Sequence, residues 1–174
     1  ENWTLESDTL KLIARHYKTN EPVPADLVEK TRRAEKFQAG YNSLRQILLG
    51  TLDMSWFGKD TSDVTDVPKF ESEATKELRV LPEVSGTNLS SSFSHIFAGG
   101  YAAGYYSYKW AEVLDADAFE YFKQSGTFNQ EVGMKYRNTI LAKGGSVHPE
   151  DLYFEFRGRA PSMEPLLKRD GLLQ

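Results

Sequence analysis

With 174 residues, 40% of them hydrophobic and 13% aromatic, the chain is about one domain long and carries enough apolar side chain to bury a core. Its 21 Lys+Arg against 25 Asp+Glu leave a formal charge of −4, interspersed without a basic stripe, which argues against nucleic acid as a partner. No run of about 18 apolar residues offers a membrane span, and the absence of cysteine excludes disulfides, thiolate nucleophiles and cysteine-ligated metal. A soluble, cytoplasmic protein with no membrane partner is expected. The chain starts at Glu1 with a helix signal almost at once, and Glu1-Asn2-Trp3-Thr4 has neither a basic start nor an apolar signal core. It reads as cut from something longer.

Leu10, Ile13, Ala14 and Tyr17 follow an i, i+3, i+4, i+7 pattern behind Ser7 or Thr4 as N-cap, which predicts an amphipathic helix ending before Asn20-Glu21-Pro22. After Pro22 and Pro24 comes a long helical pattern through Leu27, Ala34, Phe37, Tyr41, Leu44 and Leu48 toward Met54, interrupted near Gly40. A polar stretch over 58–67 leads to a short helix carrying Phe70, Ala74 and Leu78. Residues 83–100, rich in Ser and Gly, predict irregular backbone with a turn of helix near 93–97. Residues 102–122 read as a helix apolar nearly all round, closed by Gly126, which implies burial among other helices. Asn129 caps a helix through Val132, Tyr136 and Ile140, Ser146 opens a short helix that Gly158 stops, and Pro161 starts the last. Period-2 strands and internal repeats are missing. The expected fold is all-α, with 1–174 forming a single helical domain.

The chemistry-bearing string runs from Phe93 to Trp110. Gly99-Gly100 lets the backbone bend sharply, approach a ligand closely or hinge. Tyr101, Tyr105 and Tyr108, at i, i+4 and i+7, would stack three phenols along one stripe at a helix start, with Tyr106 pointing elsewhere. A phenol stays protonated at neutral pH and can donate to a carbonyl oxygen that becomes negative in a transition state, and His95 adds a second donor. On spacing alone the bland reading stands beside this one: helix packing for the tyrosines, a turn for Gly-Gly, a structural role for a lone histidine. His16 and His148 are read that way. The sequence holds no H-E-x-x-H, no Walker loop and no G-x-S-x-G elbow, and Gly99 to Gly104 lacks the order of a dinucleotide loop.

At this string the chain resembles the thimet oligopeptidase family of zinc metallopeptidases, nearest its bacterial branch of oligopeptidase A and dipeptidyl carboxypeptidase. The likeness is carried by Phe93 to Phe119, Glu1-Asn2-Trp3, Val80-Leu81-Pro82, Gly86-Thr87-Asn88, Ile140-Leu141 with Gly144-Gly145-Ser146, and Phe156-Arg157-Gly158-Arg159, and so runs over essentially the whole chain. Ile96-Phe97-Ala98 before Gly99 follows the bacterial spacing. What the resemblance implies is the helical C-terminal lobe of a larger, mostly helical metallopeptidase. Its zinc ligands, the two histidines of H-E-x-x-H and a later glutamate, would precede Glu1 on a missing N-terminal lobe. The isolated chain would then bind no zinc and be inactive. Carried over by position, Tyr108 would stabilise the oxyanion, and His95 and Tyr101 would reach the reacting peptide. Tyr105, Gly99 and Gly100 would line the substrate wall. Substrates would be short unstructured peptides. A dipeptidyl carboxypeptidase of the same family and a non-catalytic helical peptide-binding module are the alternatives.

Overall fold

The computed structural model describes residues 2–173, and among these every regular element is helical. In chain order the α-helices are α1 (Ser7–Ile13), α2 (Ala25–Glu35), α3 (Ala39–Phe57), α4 (Val67–Thr75), α5 (Ser94–Phe97), α6 (Ser107–Ser125), α7 (Gln130–Tyr136), α8 (Pro149–Arg157) and α9 (Glu164–Arg169). Short 3-10 turns and one π turn, Arg137–Leu141, join them. The all-α expectation holds. The chain divides into two compact units, one formed by the segments up to Ala39 and from Val113 onward, the other by Gly40–Glu112.

In the first unit, α1 stops at Ile13, one turn before the sequence pattern ends. Ala14 is extended, Val23 N donates to Ala14 O at 3.0 Å, and His16 N donates to Glu21 O at 2.8 Å, so the backbone pairs across 14–23 and leaves Tyr17 exposed. The N-cap is Glu6, not Ser7 or Thr4. The following long pattern breaks at Gln38, whose φ of 57° is left-handed, slightly ahead of Gly40. Asn129 caps α7 as expected, its Oδ1 accepting from Glu131 N and Val132 N at 2.9 and 3.1 Å. Gly158 stops α8 at φ 77°. Two starts fall later than the sequence pattern indicates: α8 begins at Pro149, and α9 at Glu164 with Pro165 in its first turn. The core is aromatic. Trp3 meets Phe119 and Phe122 edge-on at 4.6 and 5.1 Å between ring centres, and Tyr136 meets the fully buried Phe156 at 5.2 Å.

The second unit is built on α3. Leu49 and Leu52 on its inner face pack with Phe93, Ile96 and Tyr105, and Trp56 and Leu89 close the edge. Asp66 caps α4 by accepting from Lys69 N at 3.0 Å. Glu71 of α4, almost wholly buried, accepts from Leu89 N, Ser90 N and Ser90 Oγ at 2.8 to 2.9 Å, and Trp56 Nε1 donates to the same Ser90 Oγ. That carboxylate gives an otherwise irregular loop a fixed path into α5. The helix expected over 102–122 starts only at Ser107, and Trp110 stays 55% exposed, so α6 is not apolar-buried all round.

Candidate functional site

Within the second unit, α5 carries His95 on its last turn. Gly99 and Gly100 then fold the chain back, and Tyr101 N donates to His95 O at 3.1 Å. Both glycines are required here for different reasons. A Cβ on Gly99 would stand 2.8 Å from the His95 carbonyl oxygen, whereas Gly100 has open space around it but a φ of 80°.

Tyr101, Tyr105 and Tyr108 do meet, though not as a helical stripe. Residues 101–106 are consecutive tight turns: Gly104 N donates to Tyr101 O, Ser107 N to Gly104 O, Tyr108 N to Tyr105 O, and Ala103 is left-handed at φ 53°. The physical reason lies in α3. Asp53, fully buried, accepts from Ala103 N on Oδ1 and from Tyr105 N on Oδ2, both at 2.9 Å, so two amides that a helix would pair with carbonyls are held by a carboxylate instead.

The turns deliver the rings to one place. Tyr101 and Tyr108 stack at 5.2 Å with 21° between planes, and Tyr105 meets Tyr108 at 5.1 Å. The imidazole of His95 lies 6.0, 5.8 and 6.2 Å from the rings of Tyr101, Tyr105 and Tyr108, edge-on to the last two. Exposure grades across the group. Tyr105 is the buried base at 7%, its hydroxyl donating to Gln46 Oε1 at 3.1 Å, while Tyr108 is 40% exposed and His95 is on the surface. Tyr106, 60% exposed, turns away over Gly50. A cavity of about 320 Å³ in this unit, lined by Leu48, Glu71, Arg79, Leu81, Thr87 and Leu89 among others, includes none of these rings.

The Tyr108 phenol is held above its ordinary titration range, first by its hydrogen bond with the Tyr101 side chain, then by desolvation and the neighbouring phenols. Burial likewise raises Tyr105, partly offset by the Arg45 guanidinium and the Gln46 hydrogen bond. Both shifts keep the hydroxyls protonated, hence donors, at neutral pH. Among the described residues no three or more His, Cys, Asp or Glu side chains gather so as to hold a metal ion.

Sequence reasoning missed Asp53, Gln46 and Glu71. A signal for Asp53 exists: Leu49, Leu52, Asp53 and Trp56 share one face at i, i+3, i+4 and i+7, so a carboxylate falls in the middle of an apolar stripe.

The structure thus gathers a histidine and three phenols from the two sides of a glycine pair, in an all-α chain. Residues 1–172 fit the profile of Peptidase family M3, and the chain belongs to that family. It is 46% identical over 178 residues to "Probable cytosolic oligopeptidase A" of Arabidopsis thaliana, covering 99% of this chain and 25% of that protein. To "Oligopeptidase A" of Escherichia coli (strain K12) it is 42% identical over 173 residues, with the same coverage, and to "Dipeptidyl carboxypeptidase" of Salmonella typhimurium 38% over 174, covering 99% and 26%. The chain thus spans about a quarter of the length of the curated relatives it matches.

Proposed function

We propose that this chain is the substrate-binding and oxyanion-stabilising part of a zinc-dependent oligopeptidase, which cleaves short unstructured peptides and is inactive without the rest of the protein. The observation that carries the reading is the convergence of His95, Tyr101 and Tyr108 on one accessible face, over a buried Tyr105. Two phenol hydroxyls and an imidazole so placed can donate to a peptide carbonyl and to the flanking backbone as negative charge develops on the carbonyl oxygen. Gly99 and Gly100, with no side chains, leave the adjoining backbone open to an extended peptide. Zinc would be held by the missing N-terminal lobe, not by this chain.

The reading takes residues 1–174 as one helical domain of the catalytic region, downstream of the metal site. A dipeptidyl carboxypeptidase is the second reading, favoured by the relative of that name. Among the described residues no helix is long and apolar enough to cross a membrane. A cytoplasmic place is favoured by the cytosolic relative, against the 47% identical "Organellar oligopeptidase A, chloroplastic/mitochondrial" of Arabidopsis thaliana; cell fractionation separates the two.

The test is hydrolysis of short peptides by the whole polypeptide and by this chain alone, with products identified by mass. Internal cleavage by the whole protein alone supports the oligopeptidase, and release of C-terminal dipeptides supports the second reading. Binding without cleavage by either would leave the non-catalytic peptide-binding module. Elemental analysis of the isolated chain after dialysis is expected to show no stoichiometric zinc, and one tightly held ion per chain would overturn the assignment of the metal to the missing lobe.

A further inference from the structure

We infer that Asp53 is a positioning residue of this site: its buried carboxylate, by holding the amides of Ala103 and Tyr105, sets where the Tyr101 and Tyr108 hydroxyls point. The inference rests on the function proposed above and deepens it. Asp53 is fully buried on α3 and touches no substrate-facing surface, so it would act through the tyrosines alone.

Three observations carry it. First, the two bonds fall on residues 103 and 105, between Tyr101 and Tyr108, so they hold the turn that folds the first ring against the second at 5.2 Å. Second, the turn these bonds hold is a strained one: Ala103 has a φ of 53°, a left-handed conformation that a residue with a Cβ adopts at a penalty, and a helix through 102–106 would relieve it. Third, the base of the cluster is pinned again by α3. Gln46 accepts from the Tyr105 hydroxyl two turns before Asp53, so one helix grips both the backbone and the phenol of Tyr105. Glu71 acts at the other end, fixing residues 89 and 90 on the way into α5, and the glycine pair lies between the two anchors.

Asp53→Asn keeps the size and one carbonyl oxygen, but turns an NH2 group toward one of the two amides, so the turn can no longer be held at both points. Measured on the whole enzyme, this change is expected to lower kcat about 10- to 100-fold with KM within about 3-fold, since the misplaced donors matter most in the transition state. The decisive readout is a double-mutant cycle with Tyr108→Phe. If Asp53 acts through Tyr108, Asp53→Asn should lower kcat by no more than about 3-fold further once the Tyr108 hydroxyl is gone. A loss merely structural in origin would appear in full in the Tyr108→Phe background and in a Tyr101→Phe background alike and would overturn the inference, as would an unchanged kcat in Asp53→Asn. The proposed function fails separately, if Tyr108→Phe alone leaves kcat intact. Should the asparagine variant not fold, Asp53→Glu, which keeps two acceptor oxygens one methylene farther out, takes its place in the cycle with the same expected and contrary outcomes.

Discussion

Each compact unit buries one aspartate completely, and the two are used in opposite ways. Asp117, in the first unit, is tied to side chains: Tyr153 donates its hydroxyl at 2.6 Å, Arg157 Nε at 3.2 Å, and Arg159 Nη2 closes the other oxygen. Asp53, in the second, is tied to backbone amides of a turn. A carboxylate held by cations and a phenol cross-links elements that already have their own helical hydrogen bonds, so it contributes to stability. One held by amides of 101–106 dictates a backbone path that the local sequence would not choose, so it contributes to geometry. The same contrast separates the aromatic groups: Trp3, Phe122 and Phe156 pack into a core, whereas Tyr101 and Tyr108 remain partly exposed.

The most forceful way to break that comparison is to delete the first carboxylate. Asp117→Ala takes the carboxylate from the buried Arg157 guanidinium, which keeps only the residue-117 carbonyl at 3.1 Å, and from the Tyr153 hydroxyl, which keeps only a long contact with Leu114 O at 3.5 Å, and the expected loss is about 3 kcal/mol, the range for breaking a buried ion pair. Arg159, partly exposed, can turn to water and should soften the loss. Chemical denaturation checks it, and a change below about 1 kcal/mol would mean that the network is not structural.

In the second unit the matching change should affect rate more than stability. Tyr108→Phe removes one exposed oxygen and keeps the ring against Tyr101 and Tyr105, so folding should be almost unchanged. In the whole enzyme kcat should fall about 10²- to 10³-fold with KM nearly constant, as for a donor used chiefly in the transition state. Steady-state kinetics reads the split directly. A near-normal kcat would move the oxyanion role to Tyr101 or His95.

How much of this was legible in the sequence differs between the two units for a physical reason. Local signals carried the all-α class, the Asn129 cap and the Gly158 stop, because those depend on a few neighbouring residues. His95, Tyr101, Tyr105 and Tyr108 were found as a group, by spacing and by family resemblance, but their helical stripe was not what brings them together. Their turn is set by Asp53, about fifty residues away in the chain, and a single sequence gives no pairing between distant positions. The early end of α1 has the same origin, since Ala14 pairs with Val23 across a loop rather than continuing its own period.

A subtler test of the first unit comes from pH. Tyr153 is pushed well above its ordinary value of about 10, by burial first and then by the hydrogen bond and charge of Asp117. Because the folded state holds this proton more tightly than the unfolded chain, the stabilisation is fully present below pH of about 10 and is lost as the medium becomes more alkaline. Stability measured across that range should decline more gently in Tyr153→Phe, which has no proton to lose. Parallel curves for the two proteins would show that the Tyr153–Asp117 bond does not govern the alkaline limb.

The smallest effect should come from the tyrosine beside the cluster that the turn directs away from it. Tyr106 is 60% exposed, its backbone passes over Gly50 of α3, and Trp110 N donates to its carbonyl. None of those contacts uses the phenol oxygen, so Tyr106→Phe should change stability by no more than about 0.5 kcal/mol, as for most surface positions, and kcat by less than about 2-fold. Tyr105→Phe separates from it in a defined direction. That change removes a hydroxyl donated to Gln46 at 3.1 Å inside the buried base, and should lower stability by about 1 kcal/mol and kcat by a few-fold, since Tyr108 leans on this ring at 5.1 Å. The order Tyr108, Tyr105, Tyr106 in lost kcat is therefore fixed by where the turn sends each ring. A Tyr106→Phe loss equal to that of Tyr108→Phe would mean that the face presented to substrate is not the one on which Tyr101 and Tyr108 stack.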